Sequence, residues 1–197
     1  MKFKLLQALS NLKYVQTSGN SIIFEFKKLI HIKIDFSNLN DSNNITYSLV
    51  DRELSFPPFY NWFLLNNFVL KLPYTVPSTT VLENFSNFKK YWQGFSNLDY
   101  DIYKISLKLP VKILDDNDDD VIRFSIRYYS SKHGFKILLN VAVNLPDLIE
   151  YPKKVSISGE IVRSTSELES KFILDNLIKD TVKNGLLTEE TYISLSP

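Results

Sequence analysis

The stretch Val121–Leu145, VIRFSIRYYSSKHGFKILLNVAVNL, decides how this chain folds. Ile122, Phe124, Ile126 and Tyr128 alternate with Arg123, Ser125 and Arg127, so one side of an extended chain is apolar and the other wet. Ser131 to Gly134 supply turn residues. Phe135, Ile137, Leu139, Val141, Val143 and Leu145 then form an unbroken period-two face opposite Lys136, Asn140 and Asn144. The pattern predicts two antiparallel strands whose apolar side a helix must cover.

Working outward, a third strand is expected at Val155 to Ile161 after the Pro146 and Pro152 turns. A final helix is expected over Glu167 to Lys183, with Leu168, Phe172, Leu174 or Asp175, and Ile178 on its buried face and Gly185 as its stop. Upstream lie a short strand, Val111 to Leu114, and the acidic run Asp115 to Asp120. A long helix, Thr79 to Leu109, precedes them, with Ser78 or Thr79 as N-cap and Pro110 as its end. Its stripe runs through Val81, Phe85, Phe88, Tyr91, Trp92, Phe95, Leu98, Ile102, Ile105 and Leu109. Gly94 costs about 1 kcal/mol against alanine inside a helix and marks a place for a kink or break.

The same order occurs earlier in the chain. Phe3, Leu5, Leu6, Leu9 and Leu12 recur at helical spacing, followed by a short strand around Tyr14 to Gln16 and a turn at Ser18 to Asn20. Ile22, Phe24 and Phe26, then Ile30, Ile32, Ile34 and Phe36, line one face of a hairpin. Glu25, Lys27, His31, Lys33 and Asp35 on the opposite side predict a solvated face. After the polar loop Asn38 to Asn44 come Ile45, Tyr47 and Leu49. A proline-bounded aromatic helix, Phe59 to Leu72, closes the unit. The chain therefore reads as α+β, with a first unit at 1–77 and a second at 78–197 that begins with the long helix. Each unit has a helix, a three- or four-stranded antiparallel meander and a further helix packed on one sheet face. The long helix is expected to hold the halves rigidly.

A length of 197 residues accommodates two units of about 75 to 120 residues each. With 44% hydrophobic and 23% charged residues, the chain has enough apolar side chains to offset its conformational entropy. Its net charge of +1, with cations scattered, implies neither nucleic acid nor an anionic membrane surface as partner, and no apolar run approaches the roughly 20 residues of a membrane span. The absence of cysteine removes disulfides, thiolate zinc sites and a cysteine nucleophile, and fits the cytosol or nucleus. The first twelve residues lack a small-residue cleavage site and read as a helix, not a signal.

No constellation of catalytic, cofactor-binding or metal-binding residues is legible. His31 sits on a polar strand face and His133 in a turn, neither with a triad pattern around it. The Asp115–Asp120 run lacks the glycine and the terminal glutamate of a calcium loop and reads as a solvated hairpin tip. The five glycines are too dispersed for a phosphate loop. The chain is accordingly expected not to be an enzyme. Aromatic residues are the remaining surplus: Phe59, Trp62 and Phe63 in one helix and Phe85, Phe88 and Trp92 in the other. Packing onto the sheets accounts for most of such rings, and those left over are candidates to anchor a partner helix.

The order helix, antiparallel meander, proline-bearing turn (Leu148-Ile149-Glu150-Tyr151-Pro152) and helix resembles the RWD fold, a non-catalytic relative of ubiquitin-conjugating enzymes. In tandem, it is similar to the C-terminal region of outer-kinetochore scaffolds of the KMN network, of the kinetochore-null or blinkin type, in a divergent fungal form. The matching stretches are Ser21 to Phe26, Leu29 to Phe36, Leu98 to Ile102, Val121 to Tyr128 and Gly134 to Asn144. The resemblance implies a nuclear, kinetochore-bound tail of a scaffold that docks onto the MIND complex and links chromosomes to spindle microtubules. It implies no cofactor, no direct nucleic acid and no membrane. It also implies a preceding coiled coil shared with a Zwint-like subunit, arriving at Phe3, Leu6 and Leu9. The other assembly with this order of elements is the inner-kinetochore heterodimer of RWD subunits.

Overall fold

The computed structural model describes residues 12–37, 45–50, 65–66, 68–70, 72, 81–114, 120–130, 135–163, 171–172, 174–176 and 178–179. The strands are β1 (Leu12–Ser18), β2 (Ser21–Phe26), β3 (Ile30–Asp35), β4 (Ile45–Leu49), β5 (Val111–Leu114), β6 (Val121–Ser130), β7 (Phe135–Asn144) and β8 (Ser156–Arg163). A long helix, α1 (Val81–Ser106), separates the two sets, and a 3-10 turn, Leu145–Glu150, follows β7. The strands form two four-stranded antiparallel sheets, β1-β2-β3-β4 and β5-β6-β7-β8, each a simple meander. The fold class is therefore mixed α+β. Two compact units, Met1–Gln93 and Gly94–Pro197, divide inside α1; the expected division at 77/78 and the expected N-terminal helix lie outside the described residues.

In the first unit Phe26, Ile30, Ile32, Ile34 and Ile45 are buried on the inner sheet face. Alternation puts them there, since β2 and β3 pair Phe26 with Ile30, Phe24 with Ile32 and Ile22 with Ile34. Residues 65–66, 68–70 and 72 are helical, and Leu65, Phe68, Val69 and Leu72 are buried at the spacing of one helix face. The first half of α1 adds Phe85, Phe88 and Trp92. Trp92 meets Phe26 edge-on at 5.2 Å and Phe68 at 6.1 Å, while Phe88 meets Phe26 edge-on at 5.0 Å. The β2–β3 turn is unusual because both of its central residues, Lys27 (φ 52°) and Lys28 (φ 62°), are left-handed. Leu29 N–H donates to the Phe26 carbonyl at 3.0 Å, and the Lys27 ammonium lies 5.6 Å from the Trp92 ring centre, a cation–π contact that partly offsets the strain.

The outer face of this sheet departs from the solvated surface expected of it. Glu25 is only 5% exposed. It occupies a cross-strand row between Lys13 and His31, whose side chains flank it, and the Lys13 ammonium is 4.0 Å from its carboxylate.

In the second unit Ile122, Phe124, Ile126, Tyr128, Ile137, Leu139, Val141 and Val143 are all buried, as their alternation predicts. The second half of α1 contributes Phe95, Leu98, Ile102 and Ile105 to the interior of this unit. The helix does not break at Gly94. Glycine is required there by a close approach: a β-carbon on Gly94 would lie 1.8 Å from the Leu148 carbonyl oxygen. The third strand of the expected set runs to Arg163, two residues beyond the expected end. In the last helical stretch Leu174 is buried against Gly159, but Phe172, expected on the same face, is 68% exposed. One turn of helix can seat only the side chains aligned with the sheet, and Leu174 takes that place over the side-chain-free Gly159.

Candidate functional site

The six aromatic residues singled out as partner anchors separate into two sets. Phe59, Trp62 and Phe63, and likewise Phe3, Leu6 and Leu9, lie outside the described residues. Phe85, Phe88 and Trp92 lie in the interior of the first unit, Trp92 with 4% exposure; the Phe88 and Trp92 rings pack on Phe26, and Trp92 also on Phe68. As folded, these three are core residues. Tyr47 stacks on Phe88 at 5.2 Å, and burial pushes its hydroxyl well above the usual tyrosine range.

The most elaborate polar arrangement among the described residues is in the second unit, around the proline-bearing turn Leu148 to Pro152, whose link to Asp101 the sequence did not indicate. Alternation carries β7 into Leu145, Pro146 at the start of the 3-10 turn stops the strand, and the turn buries Leu145 and Leu148. Leu148 passes across Gly94, and the chain then presents Tyr151 to α1. The Tyr151 hydroxyl donates to the Asp101 carboxylate at 2.8 Å. Burial raises the affinity of Asp101 for its proton, while the Tyr151 hydroxyl and the nearby Lys104 ammonium act in the opposite direction. Tyr151 is itself pushed far up, by burial first and then by the Asp101 charge. On the solvent side of the turn the Lys154 ammonium lies 2.9 Å from Glu150 and 3.3 Å from Asp147, and Asn144 donates to Asp147 at 3.0 Å. These groups clasp the turn at both ends. Chemically the pair Tyr151–Asp101 acts as a latch: it joins the turn to the helix and uses the phenol to satisfy a half-buried carboxylate.

Among the described residues, no group of three or more His, Asp or Glu side chains could hold a metal ion, and no helix is long and apolar enough to cross a membrane. His31 lies in β3 between Glu25 and Ser48 of the neighbouring strands. Asp120 is exposed in the turn before β6, and its carbonyl accepts from Leu145 N–H at 2.8 Å; residues 115–119 and His133 lie outside the described set.

A second feature appears only once strand register is known. The outer face of the second sheet carries Arg127, Leu138 and Glu160 in one cross-strand row, with Tyr129 and Lys136 in the next. A register irregularity beside Lys136 and Ile137 brings Val162 to the same end. Arg127, Lys136, Ile137, Leu138, Glu160 and Val162 together line a shallow depression of about 330 Å³. No single residue type would have pointed to it, because the residues come from three strands. No known protein family matches the sequence, and no curated protein matches it significantly.

Proposed function

We propose that this chain is a non-catalytic protein-interaction module of the tandem RWD type, which docks a kinetochore scaffold onto the MIND complex. The observation that supports this reading is the repeated order of elements: two four-stranded antiparallel meanders, with α1 contributing buried residues to both units. The Leu148 to Pro152 turn adds to it, because Leu148 packs closely on Gly94 of α1 and the Tyr151 hydroxyl bonds Asp101 of the same helix. In this reading the kinetochore is the site of action, MIND subunits are the direct partners, and a Zwint-like subunit meets the chain through the segment around Phe3, Leu6 and Leu9. In this reading Phe85, Phe88 and Trp92 serve the core of the first unit, since their rings are interior.

Co-purification of the full chain with MIND subunits tests the proposal. Retention through gel filtration is the expected result, and separate elution of chain and subunits would overturn it. Molar mass in solution separates this module from an obligate inner-kinetochore RWD heterodimer. The scaffold tail is expected to be monomeric and folded without an RWD partner, whereas a heterodimer subunit would aggregate or unfold alone.

A further inference from the structure

We infer that the outer face of the second sheet, around the depression bounded by Arg127, Lys136, Leu138, Glu160 and Val162, binds an acidic segment of a partner protein that carries apolar side chains among its carboxylates. The inference specifies the chemistry of a partner for the interaction module proposed above.

Strand parity sets the composition of this face. Positions opposite the buried residues place Lys112, Arg127 and Lys136 there, against Glu160 as the single carboxylate among the described residues. The first sheet offers a comparison within the same chain. Its outer face is balanced, with Lys13 and Lys33 against Glu25 and Asp35. Because the whole chain has a net charge of only +1, the excess on the second sheet is local. A local excess of cations beside low-dielectric surface attracts carboxylates and speeds their encounter.

Charge alone would describe a solvated sheet; the apolar groups separate this face from one. Tyr129 is 66% exposed and Val162 54% exposed, with Leu138 half-buried between them. β5 pairs with Arg123 to Ile126 and the Pro110 carbonyl before it accepts from Arg127 N–H at 3.0 Å, so the Tyr128 to Ser130 end of β6 extends beyond the strand that would flank it. The depression at this end has room for a large apolar side chain, framed by two cations. Such a centre, apolar and edged by charge, is how a short peptide is anchored. Glu160 can accept N–H groups from an extended peptide. Nucleic acid fits less well, because strand-independent binding relies on successive stacking rings and Tyr129 is the lone aromatic side chain described on this face.

The test uses the full chain and a fluorescent peptide alternating Glu and Leu, followed by anisotropy at low and high salt. Controls are the same peptide with Lys in place of Glu, and oligothymidine. The Glu–Leu peptide should bind, and salt should weaken it. The double variant Arg127→Glu/Lys136→Glu should weaken binding about tenfold or more, consistent with loss of two exposed ion pairs and gain of repulsion. Val162→Ser should weaken binding with little change in its salt dependence. Arg127→Ala/Lys136→Ala serves as a milder variant, and circular dichroism verifies the fold of each. Equal binding of the Lys peptide, unchanged binding by the charge-reversed chain, or tighter binding of oligothymidine would each overturn the inference. Capture of MIND subunits by the wild-type chain is scored separately, so the surface and the docking reading can fail independently.

Discussion

Gly94 and Leu148 approach so closely that the α1 backbone and the 3-10 turn leave no space for a methyl group between them: the nearest atom to a β-carbon would be the Leu148 carbonyl oxygen at 1.8 Å, with its carbon at 2.6 Å. Both obstructing atoms belong to the backbone, which cannot rotate aside as a side chain does. On an exposed helix, Gly→Ala gains about 1 kcal/mol from propensity. Here Gly94→Ala is expected to cost about 2–3 kcal/mol, because the turn must shift and take Leu148 out of its buried position. Urea denaturation measures the difference, and a more stable variant would refute the close approach.

Tyr151 and Asp101 make the second link between turn and helix. Tyr151→Phe removes the donor and leaves a carboxylate that is only partly screened, a loss of about 1 kcal/mol. The pH dependence has a definite sign. The folded Asp101 carboxyl holds its proton more tightly than in the unfolded chain, because burial outweighs the Tyr151 and Lys104 interactions. Its contribution to stability is thus fully present below the unfolded carboxylate pKa of about 4 and declines as pH rises through the higher folded value. Asp101→Asn removes that decline. Relative to wild type, the variant should therefore gain stability as pH is raised from about 4, then reach a plateau. Parallel stability curves for the two proteins across this range would contradict the assignment.

Gly159 provides a contrasting glycine. A β-carbon there would meet the Leu174 side chain at 2.5 Å and the Leu139 side chain at 3.0 Å, and both are flexible tips. Gly159→Ala should cost about 1–2 kcal/mol, less than Gly94→Ala. A Leu174→Ala background removes the closer of the two contacts and leaves only the Leu139 tip to give way, so the two substitutions should couple by about 1 kcal/mol in a double-mutant cycle. Strict additivity would mean that the terminal helix does not lie over β8.

The turn at Lys27 and Lys28 stores backbone strain in the first unit. Lys28 has φ 62° and no ring contact among the described residues, whereas Lys27 is held over Trp92. Lys28→Gly should stabilise the chain by about 0.5–1 kcal/mol, since glycine adopts this conformation without steric cost. Lys27→Gly should gain less, because it also forfeits the cation–π contact. Thermal unfolding of both single variants gives the order, and a larger gain for Lys27→Gly would contradict it.

The two meanders were legible because each strand announces its inner face every second residue, as Ile122 to Tyr128 and Phe135 to Val143 do. Phe85, Phe88 and Trp92 lie on the α1 stripe, but the stripe alone cannot separate rings that fill the core from rings left to anchor a partner. Glu25 escaped the alternation rule because its burial depends on neighbours in two other strands. Gly94 offered helix weakness and delivered a packing contact, since Leu148 is remote in sequence and only the folded chain brings it near. The depression beside Val162 was illegible for a similar reason. Its residues are unremarkable singly, and only the register of β6, β7 and β8 gathers them.

The course of α1 has a bearing on how such a chain can be inherited. Phe85, Phe88 and Trp92 complete the interior of the first unit, while Phe95, Leu98, Ile102 and Ile105 are interior to the second. Recombination at the Pro77–Ser78 junction would deprive the upstream product of three core rings and present them to water on the downstream product. The two meanders are thus not interchangeable cassettes. Selection on either one constrains the coding sequence of the same helix, so the pair is expected to have passed between lineages as a single hereditary block.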